Sequence, residues 1–372
     1  MDNLRYTIAL TLIPRVGSII ARHLIQTFGS AEGVLQADRA TLLSIPRIGP
    51  DLVNAGADSR LLDRADAELR FIEAHHIQAL CYGDAAYPHR LLDCPDAPVL
   101  LYQLGASVTE SQHVLSIVGT RSCTQTGRDN TRRIVAELHE MLPDLVVVSG
   151  LALGIDVAAH RAALEFGVPT IAVVAHGLDR IYPAQHRDVA RQIVASGGAI
   201  ISEFPHLTQI ERGFFLQRNR IVAGLADAVL VSESKDKGGS MVTASIALDY
   251  ARDVFAFPAR VDDECNRGCN RLIRLRRAEL VTCAQDLADS MGWHAAARHT
   301  AVQQTLNFAE DNLPPLQHSI LDVLGSNGDL RLSQLCEYLP ASQRAEIQMS
   351  ILDLELSGHI IAGPGGTYHR RT

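Results

Sequence analysis

Short uninterrupted apolar runs alternate with amphipathic segments over the central part of the chain, from about residue 113 to residue 290. The apolar runs are VLSIV, LVVVS, TIAVVA, GAIISEF, AVLVSE and VFAFP, and a shorter ELVT follows them. Helical spacing lies at residues 128–141, 155–166, 184–196, 215–225, 240–252 and 269–276. Apolar runs without alternation predict strands that are covered on both faces. Strands that alternate with helices predict an α/β architecture with a doubly wound, mostly parallel sheet, whose ligands bind beyond the carboxyl ends of the strands.

The first 60 or so residues have a helical pattern that contains an internal repeat. LIPRVGSIIARHLI and SIPRIGPDLVNAG share an Ile-Pro-Arg-apolar-Gly core, with Pro14 and Pro46 in matching places. Each copy puts a glycine-bearing turn between short helices, as in helix-hairpin-helix or SAM-like domains. Such turns often present backbone amides to DNA phosphates. A small helical packing domain without that role fits the same pattern.

The last residues, from Leu316, predict a separate unit with three helical stretches. The ending GHIIAGPGGTYHR then reads as two short strands joined by a glycine-rich turn. Three helices and a β-wing make a winged helix, a fold that often binds duplex DNA through a basic helix. Here the corresponding helix carries Glu346, Asp353 and Glu355 against Arg344, so contact with a protein is at least as plausible as contact with phosphates.

The length of 372 residues exceeds what one core usually accommodates. We expect a helical domain at 1–65, an α/β domain at 66–290, a linker at 291–315 and a winged-helix-like domain at 316–372. The chain has no apolar run as long as a membrane helix and no signal-peptide pattern at its start. Its seven scattered cysteines favour reduced thiols and a cytoplasmic protein without metal.

The formal net charge of −8 excludes a protein that is uniformly basic, but local clusters matter more than the total. Six arginines lie between Arg260 and Arg277, and three more lie upstream at Arg212, Arg218 and Arg220. A cationic surface on a chain of acidic total charge is therefore expected near these segments.

The loop after the first central strand has the composition of an anion cradle. Gly119, Thr120 and Arg121 follow VLSIV, and a helical pattern begins after Gly127. Unpaired amides at a helix start point toward an anion. The loop lacks the G-x-G-x-x-G frame and a ribose-binding acid, which argues against a dinucleotide, and the chain has no P-loop motif.

The other predicted strand-end loops add cations, glycines and aromatic residues. Arginine binds phosphate through a planar fork, and aromatic rings stack on bases. A groove for the backbone of an unpaired polynucleotide needs these groups, whereas a small-nucleotide pocket needs fewer cations and a catalytic group. The candidate DNA-binding residues are Gly119, Thr120, Arg121, Gly177, Arg218, Asn219, Arg220, Lys237, Gly239 and Ser240, supported by Lys235, Phe214 and Phe215.

Catalytic signatures are scarce in the sequence. It contains no G-x-S-x-G, no H-E-x-x-H and no cluster with metal-ligand spacing. Asp156 and His160 share a predicted helix, and we interpret both as structural residues. Glu203 and Glu233 end predicted strands and are interpreted as partners of the arginines. We therefore predict a protein that is not an enzyme and needs no cofactor.

Several of these segments together resemble the DNA-processing protein A (DprA, or Smf) family. The matching segments, between about residues 70 and 285, are SIVGTR, SGLALGID, GLDRIYP, ISEFP, QRNRIVAGL, GSMVTA, VFAFP and RGCNRLI. The resemblance implies an extended Rossmann-like domain that binds single-stranded DNA regardless of sequence. It further implies a homodimer that protects incoming DNA and helps to load the RecA recombinase during natural transformation.

The resemblance also assigns residues by motif. The pocket arginine of the family corresponds to Arg121, and its Arg-Asn-Arg motif corresponds to Arg218, Asn219 and Arg220. Its glycine turns correspond to Gly119, Gly177 and Gly239. The chain departs from the family at Ala184, where some members have lysine, at Leu216, where proline is usual, and in RRAELV, where charge replaces a glycine.

Two alternatives remain at this level. A related Rossmann-like pocket that hydrolyses nucleoside monophosphates would use Glu203 or Glu233 to activate water. A protein-interaction scaffold, in which strand binding is incidental, is consistent with the acidic total charge and the acidic C-terminal helix.

Overall fold

The computed structural model describes residues 2–45, 59–106, 108–293, 313–340 and 344–371. The second copy of the N-terminal repeat, from Pro46, lies outside the described residues. The same holds for residues 294–312, which form most of the predicted linker. In the described ranges, no helix is both long and apolar enough to cross a bilayer.

The N-terminal residues form helices, as predicted. These helices are α1 (Asp2–Leu12), α2 (Ser18–Phe28), α3 (Ala31–Gln36), α4 (Arg39–Ser44) and α5 (Ser59–Ala74). The glycine-bearing turn of the first repeat copy lies between α1 and α2. Arg5 on α1 forms a bidentate ion pair with Asp66 on α5, at 2.6 and 2.7 Å. The expected domain boundary at residue 65 thus falls inside a helix that packs with the N-terminal unit.

The centre of the molecule is one nine-stranded sheet with the order β1-β2-β6-β5-β4-β3-β7-β8-β9. Its strands are β1 (Gln78–Cys81), β2 (Leu100–Gly105), β3 (His113–Gly119), β4 (Leu145–Ser149), β5 (Thr170–Val173), β6 (Ala199–Ser202), β7 (Ala228–Glu233), β8 (Asp253–Ala256) and β9 (Glu279–Leu280). In this sheet order, every neighbouring pair from β6 through β5, β4, β3, β7 and β8 to β9 is parallel. The pairs β1–β2 and β2–β6 are antiparallel. The prediction of a mostly parallel α/β sheet is confirmed.

Helices cover both faces of this sheet, which explains why its inner strands, from β3 to β8, are mostly apolar. They are α6 (His89–Leu92), α7 (Gln125–Met141), α8 (Ile155–Phe166), α9 (Arg187–Ala195), α10 (Arg212–Gly224), α11 (Gly239–Asp249), α12 (Arg267–Arg274) and α13 (Ala284–Met291). The predicted helix at 184–196 begins as a 3-10 turn over Ala184–His186. One apolar cluster contains Val114, Val146 and Val229 on one face, and a second contains Leu115, Val147 and Leu230 on the other.

The C-terminal unit contains helices and a small antiparallel sheet. Its elements are α14 (Pro315–Asn327), β10 (Leu330–Arg331), α15 (Leu332–Tyr338), α16 (Arg344–Leu356), β11 (Ile360–Gly363) and β12 (Thr367–Arg370). The strands pair in the order β10-β12-β11. The expected helices and final hairpin are present, and β10 is a further strand that the sequence pattern did not indicate.

A buried cluster of three charges joins this unit to the central sheet. Asp227, just before β7, accepts hydrogen bonds from Arg90 at 2.8 and 2.9 Å and also binds Arg331 on β10. The Val114 amide donates to the same carboxylate at 2.9 Å. Burial acts to raise the pKa of Asp227, but the charges of Arg90 and Arg331 prevail and hold it below its usual value. The C-terminal unit is thereby attached at the amino ends of the parallel strands.

We expect Asp227→Asn to destabilise the protein by about 3–5 kcal/mol, because it leaves two buried arginines without a counter-charge. Urea unfolding measures this loss. Limited proteolysis of the C-terminal unit should become faster as this unit separates from the central sheet.

The matched control is Asp188→Asn, whose carboxylate pairs with Arg191 on an exposed helix face. Exposed pairs contribute little, so the control should unfold like the parent. Equal stability of the Asp227 variant and the control would contradict the role of the charge cluster.

Candidate nucleic-acid interface

A cavity of about 670 Å³ opens at the carboxyl ends of the parallel strands, between β3 and β7. The connection that leaves β3 runs to one side of the sheet, and the connection that leaves β7 runs to the other. Such a switch point separates the two loops and leaves a crevice between them. The fold therefore places a cavity where the sequence located the glycine-bearing loops.

Most of the candidate residues meet in this cavity. Its lining includes Gly119, Thr120, Arg121, Arg218, Asn219, Lys237, Gly239 and Ser240. The end of β3 and the loop after it, the helix α10, and the start of α11 with the loop before it supply these residues. Residues more than a hundred positions apart in the chain thus form one surface.

Arg220 and Gly177 are not brought to the cavity. Arg220 forms a buried ion pair with Glu203, and it also donates to the Asp96 carbonyl and the Ser18 hydroxyl. It lies two positions after Arg218 on α10, and side chains at that spacing point to different sides of a helix. Gly177 instead packs closely against the backbone of His206. The sequence motif groups Arg220 with Arg218, but the helical geometry points the two side chains to different regions.

The floor of the cavity contains a buried arginine. Arg218 is 3% exposed and donates to the carbonyl oxygens of Gly150, after β4, and Val173, at the end of β5. Burial lowers the pKa of Arg218 to about 10, while the nearby Asp156 acts to raise it, so the guanidinium is charged at neutral pH. Burial also raises the pKa of Asp156, against the effect of Arg218. The floor thus combines a fixed positive charge with an acid next to it.

The rim of the cavity is exposed and rich in cations. Arg121, Arg212, Lys235 and Lys237 are all solvent-exposed and line it. The Arg121 guanidinium lies over the ring of Phe215, 5.2 Å from its centroid. Glu211 is an acidic residue on the same rim. Cations on this exposed rim can contact phosphates, and the aromatic ring next to Arg121 offers an apolar face.

Tyr182 is a cavity residue that the sequence analysis did not select. It is 47% exposed, and its ring centroid lies 5.8 Å from that of Phe215. The sequence signal that could have identified Tyr182 as a site residue is its aromatic side chain in the loop after β5. Only the fold shows that this loop reaches Phe215 on α10.

A carboxylate of the protein itself lies at the start of α7, where the sequence led us to expect a bound anion. The carboxylate of Glu233 accepts hydrogen bonds from the Thr124 amide at 3.0 Å and from its hydroxyl at 2.8 Å. A Cβ atom at Gly127 would overlap that carboxylate, so only glycine permits the close approach. Glu233 is thus a partner of the loop and not of an arginine. The part of the loop that faces the cavity is Gly119–Arg121.

The first turn of α11 faces the cavity from the opposite side. The amides of Gly239 and Ser240 belong to the turn that has no intrahelical acceptor. Asn219 holds this turn, because its side-chain amide donates to the Gly239 carbonyl at 3.3 Å. The hydroxyls of Ser240 and Ser234 are 2.8 Å apart. This helix start provides hydrogen-bond donors and a favourable dipole for an anion.

The two candidate acid–base residues, Asp156 and His160, are both buried. His160 is fully buried, and its Nδ1 lies 2.8 Å from the Thr170 hydroxyl. Burial lowers the pKa of His160 to about 3, and the charge of Arg218 adds to this effect. Asp156 is 8% exposed and faces Arg218. In the part of the chain that the structure describes, no group of His, Cys, Asp and Glu is placed to hold a metal.

The fold and the site define a class of α/β proteins with a cationic cavity at the switch point of a mostly parallel sheet. Residues 78–292 match the model of the family described as DNA recombination-mediator protein A. The chain belongs to this family. It is 37% identical over 296 residues to Protein Smf from Synechocystis, an alignment that covers 77% of this chain and 72% of that protein.

Two solved structures have a similar fold. DNA processing protein A from Streptococcus pneumoniae superposes with a TM-score of 0.62 at 32% identity, covering 77% of this chain and 97% of that one. DNA processing protein A from Helicobacter pylori, whose structure was described for its single-stranded DNA binding mode, gives 0.51 at 31% identity, covering 58% and 96%. Both are consistent with the Rossmann-like expectation for the central domain.

Gly150→Ala should destabilise the protein by about 1–3 kcal/mol, as overpacking of a filled site does. The added Cβ would lie 2.5 Å from the Arg218 guanidinium and 2.5 Å from the Asp156 carboxylate, and would displace these two buried groups. The free energy of unfolding in urea measures the effect.

Gly213→Ala on α10 is the matched control, because nothing lies within 4 Å of its added methyl. Alanine favours a helix over glycine, so the control should be as stable as the parent or more stable. If both variants unfold alike, the packing at Gly150 is not as tight as the structure indicates.

Proposed function

We propose that this protein binds single-stranded DNA without sequence preference in the cavity between β3 and β7. In this proposal it protects incoming DNA and helps to load the RecA recombinase onto it during natural transformation. The observation that carries the proposal is the rim of exposed cations, with Arg121 next to the ring of Phe215, above the buried charge of Arg218.

The arrangement suits a polymer better than a free nucleotide. Four cations surround an open rim, so several consecutive phosphates can be neutralised at once. Phe215 and Tyr182 provide faces on which unpaired bases can stack regardless of their identity. Contacts of this kind position a backbone and read no sequence. The Helicobacter pylori relative, with its single-stranded DNA binding mode, supports the same assignment.

Hydrolysis of nucleoside monophosphates is less well supported. Glu203 is engaged by Arg220, and Glu233 by Thr124, and neither is among the residues that line the cavity. Asp156 does line it, but this carboxylate is buried against Arg218. A carboxylate free to activate water is the part that this alternative needs. Binding without turnover therefore fits the described groups better.

The C-terminal unit is proposed to be a winged helix that contacts protein. Exposed positions on α16 include the apolar residues Met349, Leu352 and Leu356. The acidic residues Glu346 and Asp353 are exposed on the same helix. Phosphates would be repelled by this surface, whereas a protein with basic and apolar groups could cover it. RecA is the partner that the family resemblance suggests.

Arg121→Ala should weaken binding of oligo-dT and oligo-dA alike, because it removes a backbone contact and not a base contact. The slope of log affinity against log salt should fall by about 0.7 for one lost phosphate contact on a single strand. Fluorescence anisotropy with labelled oligonucleotides measures both quantities.

Arg191→Ala removes the same charge from an exposed position outside the cavity, and it should bind like the parent. The cavity assignment is wrong if the Arg121 variant keeps parental affinity and salt dependence at moderate salt.

We also propose that the chain forms a homodimer through an apolar groove of about 520 Å³ next to the cavity. Val242, Leu248 and Leu275 line this groove and are 39%, 37% and 48% exposed. Contiguous exposed apolar surface is typical of protein contacts. Lys237 and Gly238 line both the groove and the cavity, so pairing here would place two cavities on one continuous surface.

Leu275→Glu should convert the dimer to a monomer in analytical ultracentrifugation, because it introduces a charge into the apolar contact. Leu207→Glu is the control, since Leu207 is 59% exposed and lies outside this groove. A dimer that persists in the Leu275 variant would rule out this surface.

A further inference from the structure

A second groove of about 470 Å³ lies next to the cavity, between the amino-terminal halves of α7 and α8. Arg121 lines both spaces. Between them, Gly154 packs against the backbone of Thr120 and Arg121, and its φ of +82° also favours glycine there. Arg121 therefore lies where the two spaces adjoin.

The charges in this second groove are unevenly paired. Arg132 forms a bidentate ion pair with Glu165, at 2.6 and 2.8 Å, so its charge is offset within the groove. Among the residues that the structure describes, Arg128 donates hydrogen bonds only to neutral groups. These are the Gln125 side chain at 3.3 Å and the Cys123 thiol at 3.2 Å.

Arg161 is exposed on the facing helix and forms no ion pair with a described residue. Asp129 is the remaining acid in the lining, and it accepts a hydrogen bond from Gln125.

We propose that a single-stranded DNA that fills the cavity continues past Arg121 into this second groove, where Arg128 and Arg161 bind its next phosphates. The proposal rests on the function proposed above and extends the binding site of that function. The two arginines lie on the two helices that flank the groove, so a backbone that runs along the groove surface can contact both. Leu153 is 41% exposed in the same lining and offers an apolar surface to a base.

The test compares binding of oligo-dT from about 4 to about 16 nucleotides, the range of site sizes in single-strand-binding domains. The double variant Arg128→Gln/Arg161→Gln should keep parental affinity for the shortest strands that the parent can bind, because these strands fit in the first cavity. The longest strands should bind on the order of tenfold more weakly. Their salt slope should be lower by about 1.4, for two phosphate contacts.

The matched control is Arg133→Gln/Arg191→Gln, which removes the same net charge. Arg133 lies on α7 but donates to the Thr282 carbonyl, and Arg191 lies on α9. Neither lines the cavity or the second groove. This control should bind like the parent at every length.

The outcomes separate the two proposals. Unchanged binding of long strands by the Arg128/Arg161 variant would overturn the second groove, and so would an equal loss at every length. In both cases, normal binding by the parent would leave the function proposed for the cavity intact. A parent that binds none of the oligonucleotides would instead overturn that function and the groove with it.

Discussion

The buried guanidinium of Arg218 is the constraint on which the geometry of the cavity depends. It bonds carbonyl groups at the carboxyl ends of β4 and β5 and lies next to Asp156 at the start of α8. A buried charge is tolerated only when it is paired and hydrogen-bonded, so these elements must keep their positions relative to α10. Gly150 leaves space for the side chains of Arg218 and Asp156. The same charge then adds to the positive potential of the cavity without extending into it as a mobile side chain.

The helix α10 serves two regions of the molecule at once. Arg218 and Asn219 face the cavity, whereas Arg220 bonds Glu203 and the Ser18 hydroxyl at the start of α2. This second contact connects the central domain to the N-terminal helices. A change in how those helices pack would therefore act on the same helix that forms one wall of the binding site.

The two ends of the parallel strands have different roles. Strand-end loops at the carboxyl side form the cavity and its cationic rim, while Asp227, Arg90 and Arg331 attach the C-terminal unit at the amino side. The C-terminal unit therefore does not cover the site. Under the proposed function, this separation would let a strand occupy the cavity while α16 remains available to a protein partner.

The local pattern of the sequence was sufficient for the elements of the central domain. Strands β3 to β9 and the helices between them follow from apolar runs and helical spacing, because both signals depend on neighbouring residues only. The loops with Gly119–Arg121 and Gly239–Ser240 could be located as cavity-facing because parallel strands end at one edge. Tertiary structure alone decided which side chains of those loops meet. It directed Arg220 to Glu203, used Glu233 to hold Thr124, and brought Tyr182 to Phe215, because side-chain direction depends on packing between elements that are distant in the chain.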